Sequence, residues 1–533
     1  MKLRMTDNAV EQKCSETVKG LLEKYKDNEY MIHRIYNHVV TYLPTTLDNE
    51  LKNHEKRVNR TNYLTSEQHI FIQVFLSKNK YFYLSNNNFF YEYDGEKYLI
   101  VKEDDVIHNL LSSISKERVL LQWKHKTKMN IIRLIKDRSL FSSLPETDTI
   151  QNVLNVLYPT IFNTKNAAKY FLTVIGDNIL KKNVQLIFLV SAKMKQFLSE
   201  LDNVALVSIG YNNTTHNFMT KYHENHSYEN CRLIKINENH SSEAWREMLK
   251  KIGLDLLCVA AHYSNRYESS DNFIDNKSDE ELKTYSYYLK NTSPCNIVTE
   301  FCGKYIIDAT PDYKMAWKNL HFIWKQFLSN YNLPNVIYSS ALKNIIKERY
   351  SYDEDTDSFI GITSKYLPIQ SDFIRFWETT VTVHNTDTEL LFDNELEIEE
   401  LHSLFKSWVK QNSDLLLSNG NISEENIVKI LKHFFPTIEI IEDKFVLNIT
   451  CSLWNKSVDI DESFKYIKDQ ILSDHKLALI SFDDAYNYYY KFYSSNSLKF
   501  IVSKRYFEKY LYYKLGDHIV YEKFIETNWF THS

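Results

Sequence analysis

The sequence predicts an α/β multi-domain protein that is mostly helical. It carries a small antiparallel meander, a doubly wound domain around a degenerate phosphate-loop-like turn, and winged-helix-like modules towards its C-terminal end. Three observations carry that reading: aromatic runs broken by turn residues at 81–101, apolar runs alternating with helical patterns at 184–267, and a helix–helix–hairpin theme after residue 395.

In chain order, residues 15–43 read as two helices, with Leu21, Leu22 and Tyr25, then Ile32, Ile35, Val39 and Val40, at helical spacing. The charged run 49–60 reads as a linker, and 66–77 as a further helix. Tyr81–Leu84, Phe89–Tyr93 and Lys97–Val101 follow as strands, joined by Asn86-Asn87-Asn88 and by Asp94-Gly95-Glu96. Asp-Gly is the strongest short hairpin signal because both central residues must tolerate positive φ. Glu103, Asp104 and Asp105 then place negative charge where a helix N-terminus stabilises it.

Val184–Ser191, Val204–Gly210 and Cys231–Asn237 read as strands, with helices at 192–201 and 242–253, the alternation of a parallel sheet. Residues 276–380 read as helical, with Trp317, Leu320, Trp324, Phe327 and Leu328 as a core stripe. Helices at 395–410 and 423–435 precede a hairpin of Thr437–Ile441 and Lys444–Thr450, the order of a winged helix. A second such block is expected at 503–530, and no repeat of fixed period is visible. The domains expected are 1–60 (helical), 61–165 (meander and basic helix), 166–275 (α/β), 276–385 (helical) and 386–533 (winged-helix-like).

Composition narrows the chemistry. Nine glycines in 533 residues, at 20, 95, 176, 210, 253, 303, 361, 420 and 516, leave no room for a G-x-G-x-x-G or G-x-x-x-x-G-K-[ST] loop. Lys outnumbers Arg 51 to 13, and residues with AT-rich codons are abundant, so genome composition sets much of this bias. A net charge of −5 argues against a surface coated for bulk nucleic-acid binding, although a local patch is compatible with it. No apolar run reaches the ~20 residues of a membrane span, and the first thirteen residues lack an apolar signal core. Six scattered cysteines without a C-x-x-C pair read as reduced thiols in a cytosol-like compartment.

Several constellations are candidates for chemistry. Ser191, Lys193 and Lys195 follow the first strand of the α/β domain, where a phosphate loop would lie, but no glycine accompanies them. His223, Glu224, His226 and Cys231 offer metal-ligand types, yet the second His falls one residue short of the zincin spacing, and a polar loop is the stronger reading. Asp353-Glu-Asp355-Thr-Asp357 begins like a calcium loop, with Ser358 at the turn-glycine position. Residues 376–405 hold eight acids and no Lys or Arg, which reads as a solvated face or one turned to a basic partner. The densest signal is 116–138. Lys116, Arg118, Lys124, Lys126, Lys128, Arg133, Lys136 and Arg138 face only Glu117 and Asp137, with Trp123 among them. Cations at this density with a stacking ring suit a nucleic-acid backbone, and a solvated helix face is the competing reading. Lys504, Arg505, Lys509 and Lys514 form a smaller basic set on the last helix.

The phrase Phe89-Phe-Tyr-Glu-Tyr-Asp-Gly-Glu-Lys-Tyr98, with Glu103-Asp-Asp105 after it, resembles the domain preceding the helicase core in superfamily 3 primase-helicases of nucleocytoplasmic large DNA viruses (poxvirus and mimivirus type). Lys169-Tyr-Phe-Leu-Thr-Val-Ile-Gly-Asp177 resembles the helix leading into that family's phosphate-loop strand, and Arg266 resembles its arginine finger. The resemblance spans residues 65–533; the family's primase domain has no counterpart, and its phosphate-loop Gly and Lys-Ser/Thr do not match. It implies a helicase-like replication protein with an eroded nucleotide site and therefore no cofactor. Its partners would be DNA, viral replication proteins and further copies of the chain, in the host cytoplasm or the virion. Two alternatives stand beside it: an active helicase using ATP and Mg²⁺ through an unconventional loop, and a virion or scaffold protein making only protein contacts.

Overall fold

The computed structural model describes residues 7–182, 185–237, 242–384, 395–412, 421–473, 478–496 and 500–527. The protein is α/β and mostly helical, with small antiparallel sheets and a parallel pairing of Ile187–Leu189 with Cys231–Leu233. It forms two compact units. One comprises Met1–Leu186, Ala192–Phe218 and Ile234–Tyr285; the other comprises Ile187–Ser191, Met219–Leu233 and Ser286–Ser533.

The first unit begins with helices Asp7–Lys24 and Glu29–Tyr36, the latter capped by the Asn28 side chain, which accepts the Met31 N–H at 3.1 Å. A π-helical turn, Asn37–Tyr42, leads into the 36-residue helix Leu43–Lys78. The charged run expected as a linker lies inside this helix. After Pro44, which sits in the first turn, it contains neither Gly nor Pro, and its Lys, Glu and Arg residues are good helix formers. Only the later turns are buried, through Leu64, Gln68, Phe75 and Leu76.

The meander forms as read. Strands Lys80–Leu84, Phe89–Tyr93 and Tyr98–Val101 pair antiparallel, with Phe90 opposite Tyr83 on one side and Val101 on the other. The Asp94 carboxylate accepts the Glu96 and Lys97 N–H groups at 2.8 and 2.9 Å, and Gly95 takes φ 109°. Phe90 packs with Val106, Leu110, Ile114, Ile131 and Ile135 in one core.

Two rare glycines have a structural use here. A Cβ on Gly176 would lie 2.0 Å from the Ala260 carbonyl oxygen, so helix Lys165–Ile179 meets helix Ser242–Tyr267 backbone to backbone. A Cβ on Gly253 would lie 2.4 Å from a Val204 methyl. Next to the first contact, the buried Asp177 accepts the Ser264 hydroxyl at 2.6 Å and the Ser270 N–H at 2.7 Å. Tyr91 ties the meander to the helices by donating its hydroxyl to the Ser208 carbonyl at 2.7 Å.

Where a parallel, doubly wound sheet is expected, the chain forms a three-stranded sheet in the order Phe218–Met219, Ile187–Leu189, Cys231–Leu233. Val204–Gly210 is not a strand: helix Ala192–Ile209 runs through it, and Gly210, at φ 68°, is the left-handed residue that ends the helix. The parallel pairing joins Ile187–Leu189 to Cys231–Leu233, with the Val190 N–H donating to the Met219 carbonyl at 2.9 Å.

The rest of the second unit is one design used three times. Each block contains, in order, a helix, a strand, two helices and two strands, the third of these strands lying between the first and second; in the first two blocks a further short strand, Ile307–Asp308 or Val381–Val383, follows the first helix. The first block is Pro294–Tyr305, Lys314–Ala316, Trp317–Asn330, Ser339–Lys347, Tyr352–Asp353 and Ser358–Ile360. The second is Leu367–Thr380, Glu395–Glu397, Ile398–Gln411, Glu424–Phe434, Ile440–Ile441 and Phe445–Leu447. The third is Lys456–Ser473, Leu479–Ser481, Phe482–Asn496, Lys504–Leu515, Ile519–Val520 and Phe524–Glu526. Helices followed by short antiparallel strands lie in both regions read as helix–helix–hairpin, and residues 276–380, read as helical, also contain strands. Two of the hairpins close on residues that are both left-handed, Glu442-Asp443 (φ 54° and 56°) and Tyr521-Glu522 (φ 53° and 62°), matching the right-handed twist of their strands.

Candidate nucleic-acid interface

The basic stripe lies in the first unit on a short 3₁₀ segment, Arg118–Trp123, and the helix Lys124–Lys136. Thr127, Ile131, Ile132 and Ile135 of that helix are buried. A buried hydrogen bond from Gln68 Nε2 to Thr127 Oγ1, 2.8 Å, pins it to the long helix. The apolar face is thereby fixed, and Lys126, Arg133 and Lys136 are left exposed.

Lys126 Nζ stands 3.9 Å from the centre of the Trp123 ring, a cation–π contact that orients both. Lys124 Nζ donates to Ser115 Oγ at 3.1 Å. Lys136 reaches Glu103 at 3.6 Å, and Arg138 donates to the Leu76 carbonyl at 3.3 Å. Among the described residues, no carboxylate lies within 4.0 Å of the charged groups of Lys116, Arg118, Lys124, Lys126, Lys128 or Arg133. Six cations therefore remain electrostatically available on one continuous segment.

The third helix of each block in the second unit is arranged in the opposite way. In the first block Lys343 meets Asp357 at 2.7 Å and Lys347 meets Glu354 at 2.6 Å, while Lys314 meets Asp353 at 2.7 Å. The calcium-like run 353–357 is thus a hairpin loop whose acids face lysines. In the second block Lys432 pairs with Asp443 on its own hairpin, and Lys429 with Glu425 at 2.6 Å. That third helix is also covered by the first block: Lys325 Nζ lies 3.0 Å from His433 Nδ1, and Lys318 donates to the Phe434 carbonyl at 3.1 Å. Burial in this contact pushes His321 down to about 4 and also lowers His433.

In the third block Lys504 pairs with Asp483, and Lys514 with Asp461 at 3.0 Å. Arg505 Nε lies 3.1 Å and Lys509 Nζ 3.5 Å from the carboxylate of Glu395, which is buried. Lys456 completes this joint between the second and third blocks, donating to the Glu395 carbonyl at 3.0 Å and pairing with Glu400. Burial lowers the Lys456 ammonium pKa and raises that of Glu400. Part of the acidic run therefore serves as internal counterions; its residues 385–394 lie outside the described residues. No short motif announces the joint, because its members come from positions 395–400, 456 and 505–509. Beside it opens a cleft of about 860 Å³ lined by Lys406, Lys410, Trp454, Tyr486 and Phe500, but Glu397, Glu399 and Glu400 share its walls.

The remaining candidates do not converge. Ser191 follows the strand Ile187–Leu189, Lys193 lies in the first turn of the next helix, and Lys195 Nζ donates to the Phe218 carbonyl at 3.0 Å. Arg266 is exposed beside the Tyr267 ring. Cys231 is buried, its thiol pKa pushed up to about 11 by desolvation, and it points at the Ser227 carbonyl at 3.4 Å. Among the described residues, no three His, Cys, Asp or Glu side chains gather as a metal site, and no helix is long and apolar enough to cross a membrane. No protein-family model and no curated protein matches this chain.

Proposed function

We propose that this chain is a DNA-binding, replication-associated protein of a large DNA virus, a helicase-like scaffold that does not hydrolyse NTP. One observation carries the reading: within a chain of net charge −5, the segment 116–138 keeps six cations that have no carboxylate partner among the described residues, around a half-buried Trp123. Such a stripe neutralises phosphates with little sequence preference, and its affinity derives from counterion release. The strand order of the three blocks supports reading them as winged helices. In this reading they dock proteins, since their third-helix cations already meet carboxylates and the second block's is covered by its neighbour.

The test is DNA binding by the purified full chain across a salt series, with ATP hydrolysis measured on the same sample. Reversing Lys124, Lys126 and Lys128 to Glu is expected to cost roughly 100-fold or more in affinity at low salt and to flatten the salt dependence. Unchanged affinity, or no binding at low salt, would replace this reading with a scaffold that contacts only proteins. Robust hydrolysis would restore the active-helicase reading.

A further inference from the structure

The long helix Leu43–Lys78 leaves its first half uncovered. Leu43, Leu47, Leu51 and Val58 are 48%, 53%, 58% and 41% exposed, large values for aliphatic side chains on one helix. At about 100° per residue these four fall within one narrow stripe, which His54 joins. Leu47 and Val58 are eleven residues apart, the period that keeps a stripe straight along an α-helix over three turns. Tyr36 and Val40 extend the exposed apolar surface towards the N-terminus, and burial begins at Leu64, where the helix enters the core.

The residues flanking the stripe say what covers it. Segment 43–63 holds Asp48, Glu50 and Glu55 against Lys52, Lys56, Arg57 and Arg60, so it is close to neutral and is no phosphate-binding face. On one flank lie Glu50 and Arg57, whose midpoint falls between residues 53 and 54. In an antiparallel pair of identical helices, each flank faces the same flank of the other copy. A two-fold axis there sets Glu50 against Arg57 of the other copy, a contact made twice. The same axis brings Leu47 towards Val58 and Leu51 towards His54.

We propose that residues 43–58 are a self-association surface and that its occupant is the same helix of a second copy, running antiparallel. The interface is short, about 24 Å at 1.5 Å per residue, so the association is concentration-dependent. It is independent of DNA binding: Lys116–Arg138 takes no part.

The experiment is sedimentation velocity on the full chain over a concentration series, joined to cysteine cross-linking in a Cys14→Ser, Cys295→Ser background that removes the exposed thiols. The wild type is expected to form a dimer, and Leu47→Glu with Leu51→Glu to remain monomeric with unchanged helical circular dichroism. Glu50→Arg and Arg57→Glu should each weaken the dimer, and together restore it. His54→Cys, near the axis, should cross-link readily, whereas Leu43→Cys, far from it, should not. A monomer at every concentration, a dimer indifferent to the stripe substitutions, or equal cross-linking at 43 and 54 would each overturn the proposal.

Discussion

The stripe at 116–138 and the third helix of the last block carry the same kinds of cation, yet they differ in what surrounds them. On the stripe, six cations have no carboxylate within ion-pair distance among the described residues, and Trp123 holds Lys126 from the side. On helix Lys504–Leu515, Lys504, Arg505, Lys509 and Lys514 all meet acids, two of them sharing the buried Glu395. Basic residues on a helix face are therefore not one class. Those whose counterions are built in contribute to folding and block-to-block contact, and those left open are available to a polyanion.

The strongest way to break this contrast is at the joint between the second and third blocks. Lys456→Met keeps the hydrocarbon stem but strands Glu400, and urea unfolding is expected to show a loss of about 3–5 kcal/mol. Glu400→Gln in the same chain should recover most of it. If Lys456→Met is neutral, the second unit's cations are not structural in the sense argued here.

A smaller effect sharpens the picture in the first unit. Asp255 is buried, accepts the Tyr98 N–H at 2.8 Å, and has its carboxyl pushed up to about 6 by desolvation. Between its unfolded value near 4 and about 6, the folded chain binds the extra proton, so this group's contribution to stability falls as pH rises through that window. Asp255→Asn keeps the acceptor and removes the charge. It should raise stability by about 1–3 kcal/mol at pH 7.5, with the advantage gone below pH 4, as thermal melts across pH would report.

The smallest effect belongs to the surface pairs. Lys347→Ala breaks the contact with Glu354 on the first block's hairpin and should cost less than about 1 kcal/mol, diminishing with salt.

These differences also mark what the sequence could reveal. The meander is legible because Asp94-Gly95 dictates a turn and aromatic residues fill the first two of its three strands. The stripe was legible as charge density, but the openness of its cations was not, since that depends on where distant acids fold. The smaller basic set at 504–514 meets Asp461, Asp483 and Glu395, which come from elsewhere in the chain and leave no local signal. Val204–Gly210 misled because an apolar run ending in Gly reads as a strand, while the same Gly serves as a helix terminator. The block at 294–360 escaped notice because its strands are two or three residues long, too short for alternation to show. The glycine count reflected composition, yet Gly176 and Gly253 sit where helices leave no room for a Cβ.

The most direct test of the central claim compares two neutralised chains in one salt titration of DNA affinity. Replacing Lys124, Lys126 and Lys128 by Gln is expected to reduce the slope of log affinity against log salt by about 2–3. Replacing Lys504 and Lys509 by Gln should leave that slope unchanged. Equal losses in both chains, or a loss confined to the Lys504 and Lys509 variant, would contradict the account.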